Sequence, residues 1–342
     1  MPRKKKSHSL TQQQVNRIRQ IRDQRLDHWQ QQQRRNLKIL GVGDLAAERP
    51  GVVIANYGSH VEVEGEEGDR SRCAVRETVA ENPVCGDRVL WSPAPGAQGV
   101  ITHLLPRSSV VRRPGPYRRL QTMAANVEVM VVTTTALLPN PGLLDRYLVA
   151  ASAAGLGVVL VVNKIDLATD ADPWREPLAI YPRVGYPLLP LSAATGEGLE
   201  ALAEHLRGRT AMFVGQSGVG KSSLIAHWRP DAGIRVAAVN AETGRGRHTT
   251  SATRLYHLSC GGRLIDSPGV RAFDLHDVTP EEVAGHFLEV APLLGRCRFS
   301  DCRHREEPGC AVLAGLAQGL ISPARLASLH RIVDSLAGRQ PF

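Results

Sequence analysis

An apolar run, Met212-Phe213-Val214, leads directly into Gly215-Gln216-Ser217-Gly218-Val219-Gly220-Lys221-Ser222-Ser223, and Leu224-Ile225 continue in a helical pattern. This is G-x-x-x-x-G-K-S between a strand and a helix, which commits the surrounding chain to an α/β fold with a phosphate-binding turn at a strand end. The glycines let the backbone wrap closely around phosphate with its N–H groups pointing inward. The helix start adds partial positive charge. Lys221 is placed to reach the β- and γ-phosphates, and the Ser222 hydroxyl to ligate Mg²⁺.

A phosphate loop does not choose a base; Asn163-Lys164-Ile165-Asp166 does. It follows the apolar run 158–162, so it sits at the carboxyl end of a strand, where α/β sheets bind ligands. The Asp166 carboxylate only accepts hydrogen bonds, and guanine offers a ring N–H and an amine together on one edge. Asn163 and Lys164 support that loop. Ser192-Ala193-Ala194, after the run 188–191, fits a loop whose backbone N–H reads the guanine oxygen. Asp266-Ser267-Pro268-Gly269 supplies an Asp for water-mediated Mg²⁺ contact and a Gly269 N–H for the γ-phosphate. The Gly-rich stretch 244–251 offers Thr249 and Thr250 as Mg²⁺ ligands in a switch loop. The order is unusual: ordinary small GTPases begin with the phosphate loop and end with N-K-x-D. Here N-K-I-D and the serine loop come first. Geometry makes such a site, so a circular permutation keeps it intact, and it hangs whatever follows residue 275 on the end of the second switch.

The alternation of strand-like runs (127–133, 157–162, 188–191, 211–214, 263–265) with helical ones (143–153, 198–207, 221–228) predicts a parallel sheet over 123–275. Five short β-rich runs (52–57, 61–64, 72–79, 88–91, 100–104), separated by turn residues, predict a small barrel over 45–105. An OB-fold is its natural form, although strand counting alone leaves other small β-domains open. Residues 106–122 hold five arginines and no acid and read as a basic linker. Residues 276–342 read as mostly helical, interrupted by the Cys/His window. Residues 1–44 read as a basic extension, disordered or helical only on a partner. Residues 1–43 carry a net +9, which equals the formal charge of the whole chain. Such a tail either binds a polyanion by counterion release or simply solubilises the protein. No apolar run is long enough to span a bilayer, and the basic start has no apolar core after it, unlike a secretory signal.

Cys73, Cys85 and Cys260 are scattered and read as small buried hydrophobes. Cys297, Cys302, His304 and Cys310 fall within 14 residues, with the spacing C-x4-C-x-H-x5-C. Four soft or borderline ligands predict one structural Zn²⁺ in a reducing cytoplasm. Arg296, Arg298, Arg303 and Arg305 around it suit either phosphate contacts or a solvated basic face.

A β-barrel, then N-K-I-D before G-Q-S-G-V-G-K-S-S before D-S-P-G, then C-x4-C-x-H-x5-C, resembles the RsgA (YjeQ) family of circularly permuted GTPases across about residues 45–335. The resemblance implies three parts: an N-terminal OB-fold barrel, a central permuted P-loop GTPase domain and a C-terminal helical zinc-binding domain. It implies a cytoplasmic, monomeric, late-acting assembly factor of the bacterial small (30S) ribosomal subunit. Such a factor binds rRNA near the decoding region, is stimulated by the subunit and is released on hydrolysis. It carries over to Asn163, Lys164, Ile165 and Asp166, to Gly215–Ser223, to Asp266 and Gly269, and to the four zinc ligands. A GTP-regulated RNA-binding switch with incidental turnover is the alternative, while a nucleotide kinase fits poorly with N-K-I-D and D-S-P-G. After D-S-P-G, where many GTPases carry a water-orienting Gln, stands Val270, which cannot hold water. His248 can, so the expected catalytic set is His248, Lys221 and Thr250, unless the subunit supplies the group.

Overall fold

A computed structural model of the chain describes residues 47–58, 60–77, 79, 81–94, 98–114, 120–169, 174–229, 253–266, 275 and 277–338. The basic extension, the stretch 244–251 with His248, Thr249 and Thr250, and Gly269 and Val270 lie outside the described residues. The chain forms two compact units. The first ends at Leu105; the second takes in Val84–Asp87 and then everything from Pro106.

The first unit is a closed barrel. β1 (Arg49–Asn56) pairs antiparallel with β2 (Val61–Gly65), and β2 with β3 (Arg70–Val75). β3 runs parallel to β5 (Gly99–Leu104), β5 pairs antiparallel with β4 (Arg88–Ser92), and β4 returns to β1. The order 1-2-3-5-4 with closure is that of an OB-fold, and closure leaves no free edge. The interior is packed by Val53, Val63, Cys73, Val89, Trp91 and Ile101. Space for the indole comes from Gly51, where a Cβ would lie 2.6 Å from Trp91 Nε1. The Arg49 guanidinium stacks on the same ring, 4.6 Å from its centroid. Burial pushes the Cys73 thiol up to about 12 and holds the Cys85 thiol above its ordinary range, so both are inert hydrophobes. Cys260 is half-buried against the core of the second unit.

The second unit opens with a hairpin, β6 (Val110–Pro114) against β7 (Leu120–Ala125). This is the segment that its arginines marked as a linker. Val111, Ala124 and Ala125 are fully buried, while Arg112 and Arg113 point to solvent, so a single apolar face was hidden by basic composition. Six strands follow: β8 (Val129–Thr135), β9 (Gly157–Asn163), β10 (Leu188–Pro190), β11 (Thr210–Val214), β12 (Arg254–His257) and β13 (Arg263–Asp266). Their spatial order is β10-β9-β8-β11-β13-β12, all parallel except β12. The sheet divides between β8 and β11 into two halves, each continuous in the chain. Exchanging their order in sequence would leave the sheet unchanged, which is the permutation expressed as topology. Helices α1 (Pro141–Ala153), α2 (Leu199–Leu206) and α3 (Lys221–His227) connect the strands. Val131, Val161, Phe213, Leu202 and Leu206 are among the residues that fill the core on one face.

The C-terminal region is less helical than its composition predicts. Between 277 and 310 the helical structure is limited to short 3₁₀ turns, Val283–His286 and Ala291–Leu293, the second containing Pro292 and followed by Gly295 at φ +76°. Two α-helices follow, α4 (Ala311–Ala317) and α5 (Pro323–Ala337), the latter capped by the Ser322 side chain. This region shares a core with α1: Val149 and Ala150 pack with Val283, Phe287, Val290, Leu329 and Ile332. At that contact Arg325 of α5, 3% exposed, is held by Asp145 of α1 and by Glu289, and Asp145 also accepts from the Tyr181 hydroxyl at 2.8 Å. The neighbouring carboxylates hold the Arg325 guanidinium above its ordinary value against the cost of its burial, and burial together with Asp145 holds the Tyr181 hydroxyl neutral. No helix among the described residues is long and apolar enough to cross a membrane. Removing one partner of a buried ion pair leaves uncompensated charge and costs about 3–5 kcal/mol. Arg325→Ala is therefore expected to lower the stability of the second unit by about that amount, read from the urea midpoint by far-UV circular dichroism.

Candidate functional site

The strand order reverses between β8 and β11, and ligands of open α/β sheets bind at the carboxyl ends of the strands at such a point. The phosphate loop lies there. Gly215 (φ +141°) leaves β11 so close to β8 that a Cβ would come within 2.2 Å of the Thr133 carbonyl oxygen. Gly218 (φ +82°) and Gly220 (φ +96°) continue the turn in backbone regions that side chains rarely adopt. Gln216, Ser217, Ser222 and Ser223 face solvent, and Val219 anchors the loop in the core. The Lys221 ammonium lies within the loop, donating to the Gly215 and Gln216 carbonyls at 2.8 and 2.6 Å.

Asn163 joins three motifs. It is 1% exposed at the end of β9. Its Nδ2 donates to the Val219 carbonyl of the phosphate loop at 2.8 Å. Its Oδ1 accepts from Lys164 N–H at 2.8 Å and from Ala193 N–H at 3.0 Å. Gly220 is the complement, since a Cβ there would strike Asn163 Nδ2 at 2.2 Å. Lys164 sits at φ +65° and turns the chain into the 3₁₀ turn Ile165–Leu167, which presents Asp166 to solvent. Ser192 is fully buried, and its hydroxyl accepts from the N–H groups of Ala194 and Thr195 at 3.2 and 3.1 Å. The Ala193 N–H of the same loop donates to Asn163, which ties this loop to the N-K-I-D turn. Asp266 ends β13, opposite Arg254. Thr133 meets the phosphate loop through its backbone alone, a contact that no side-chain pattern in the sequence marks.

The second cluster is Cys297, Cys302, His304 and Cys310, whose ligand atoms all lie within 4.8 Å of one another. His304 Nδ1 is 3.6, 3.5 and 3.4 Å from the sulfurs of Cys297, Cys302 and Cys310, and Cys297 and Cys310 sulfurs are 3.9 Å apart. A tetrahedral ion bonded at about 2.3 Å to sulfur and about 2.0–2.1 Å to nitrogen needs edges of about 3.8 Å and about 3.6 Å. The cluster has the dimensions of a metal centre. Burial opposes ionisation of Cys297, but N–H groups of Ala311 and Val312 and the neighbouring thiols outweigh it and hold the thiol below its ordinary value. Burial also holds His304 below the ordinary imidazole value, which favours the neutral, ligating form. Cys310 accepts from Leu313 N–H at 3.5 Å as the cap of α4, so one ligand also starts a helix.

The RsgA GTPase family model matches residues 104–276. The chain is 44% identical over 328 residues to a Pseudomonas putida (strain F1) protein named small ribosomal subunit biogenesis GTPase RsgA, covering 94% of this chain and 95% of that one. An Azotobacter vinelandii protein of the same name is also 44% identical, over 334 residues, with 96% and 97% coverage. Among solved structures, YjeQ from Thermotoga maritima superposes with a TM-score of 0.72 at 31% identity, covering 86% of this chain and all of that one. YloQ, described as a circularly permuted GTPase, gives a TM-score of 0.70 at 23% identity over 88% of this chain and 99% of that one, and shares the fold. With near-complete coverage at this identity, the chain belongs to the RsgA GTPase family.

Proposed function

We propose that this protein hydrolyses GTP to GDP and phosphate as an assembly factor of the small ribosomal subunit, that it binds that subunit and its rRNA, and that the subunit stimulates turnover. The observation that carries this is the Asn163 junction, which holds a guanine-type loop against a phosphate loop in a chain of this family. Asp166 accepts two hydrogen bonds from the base edge. The N–H groups of Gly215–Ser223 and the Lys221 ammonium take the β- and γ-phosphates, and Lys221 exchanges its loop carbonyls for phosphate oxygens. Ser222 with Thr249 or Thr250, and Asp266 through water, would hold Mg²⁺, which neutralises charge developing on the phosphates. The Gly269 N–H senses the γ-phosphate. His248 orients the water whose oxygen bonds to the γ-phosphorus as the bridging bond to the β-phosphate breaks.

Cys297, Cys302, His304 and Cys310 would hold one structural Zn²⁺: the three His304–sulfur separations and the Cys297–Cys310 separation lie within about 0.2 Å of those that zinc bond lengths require. The five segments, a basic extension (1–44), the barrel (45–105), an arginine-rich connection (106–122), the GTPase domain (123–275) and the zinc-binding region (276–342), work in the cytoplasm as a monomer.

Multiple-turnover GTPase assays with and without purified small subunits test the proposal; equal rates in the two arms would overturn ribosomal stimulation. In that assay His248→Ala should lose about 10²–10⁴-fold of stimulated turnover while keeping GTP and subunit binding. Survival within about threefold would assign the water-orienting group elsewhere. Asp166→Asn replaces an acceptor with a donor and should weaken GTP binding about 10–100-fold, shifting preference toward xanthine nucleotides, in titration calorimetry. Elemental analysis of freshly purified protein should find about one zinc per chain, and Cys302→Ala should lose it.

A further inference from the structure

The turn that carries two of the four ligands is built around an acid that is not a ligand. Glu307 lies three residues after His304 and three before Cys310. One carboxylate oxygen accepts from Arg303 N–H at 2.8 Å. The other accepts from Arg305 N–H at 2.7 Å and Glu306 N–H at 3.1 Å. The N–H left over in this run, that of His304, is directed at the Cys302 sulfur. Four successive N–H groups thus converge inside one turn, three on a carboxylate and one on a thiol. His304 adopts φ +60°, a backbone region costly for a residue with a Cβ. Glu307 also closes the turn through its own carbonyl, which accepts from Cys310 N–H at 3.2 Å. The turn is braced from outside by His330, whose Nε2 meets the His304 carbonyl oxygen at 3.0 Å.

We propose that Glu307 is the positioning residue of the metal centre: by gathering the N–H groups of residues 303, 305 and 306 it fixes the turn that presents Cys302 and His304 to one ion. This rests on the zinc reading above. The charge matters because N–H groups crowded in one turn repel one another unless an anion sits among them. An isosteric amide keeps one acceptor oxygen but turns an NH₂ toward the remaining N–H groups. Without the clamp the turn relaxes away from the strained φ of His304, and ordering it again falls to the metal, which lowers affinity. Groups that orient metal ligands in this way are typically worth about 10–100-fold in affinity.

The test is competition between the full-length protein and a chromogenic chelator for zinc, with Co²⁺ absorption as a report on ligand geometry. Glu307→Gln should weaken zinc binding about 10–100-fold and alter the Co²⁺ ligand-field bands. Glu306→Gln, at the exposed neighbour, should stay within about threefold of wild type. Glu307→Asp keeps the charge but loses reach, and should fall between. GTP binding, which uses the other end of the unit's chemistry, should be unchanged in all three and reports that each variant is folded. Zinc affinity of Glu307→Gln within about threefold of wild type, with an unchanged Co²⁺ spectrum, overturns the assignment while leaving the zinc site standing. A wild-type protein that takes up neither zinc nor cobalt overturns the zinc reading and this inference together.

Discussion

The nucleotide site depends on one amide. Asn163 has one donor group and one acceptor, and it spends both inside the protein, on the phosphate loop through Val219 and on the serine loop through Ala193. At 1% exposure these bonds are shielded from water, and leaving either group unmade in such a place costs about 1–3 kcal/mol. A carboxylate could not donate to Val219, and an alanine could do neither. The three loops come from strand ends β9, β10 and β11, and the amide of this one residue reaches all three. Gly220 is selected from the opposite side, because any Cβ there would push the amide out.

A second constraint ties the metal-bearing region to the sheet unit. Arg325, Asp145, Glu289 and Tyr181 form a buried polar knot whose members come from α1, the segment before β10, and the C-terminal region. Arg325 also lies 4.4 Å from the Phe287 ring centroid, so its planar group is used on both its edges and a face. The region is thus a continuation of the sheet unit's core, with Val149 and Ala150 of α1 as common ground.

The parts legible in the sequence were those where chemistry dictates residue type at fixed spacing. The phosphate loop, N-K-I-D and the Cys/His window fall where expected, because each is local and each needs specific atoms. The barrel strands were legible from alternation, as in Val61–Gly65, where every second residue is buried. Three features were not. The hairpin Val110–Ala125 was concealed because its exposed face is arginine-rich and its buried face uses small residues such as Ala124 and Ala125. The scarcity of α-helix between 277 and 310 escaped because Val283, Phe287 and Val290 stand four and three residues apart, a helical spacing, yet reach the core from 3₁₀ turns and the chain beside them. The partners of Arg325 escaped because they lie 36 and 180 residues away in sequence.

The exchanged order of the two half-sheets also sets a timetable for synthesis. Val219 follows Asn163 by 56 residues, so at about 5–20 residues per second the amide waits about 3–11 s for its partner. During that interval β8, which ends up central, is an edge strand with Val129–Val132 unpaired on the side that β11 later takes. In the unpermuted order the phosphate-loop strand would be made first. A nascent chain of this kind therefore carries a sticky apolar edge from early in its translation, and the burden of keeping it from other strands falls on whatever surrounds the emerging polypeptide.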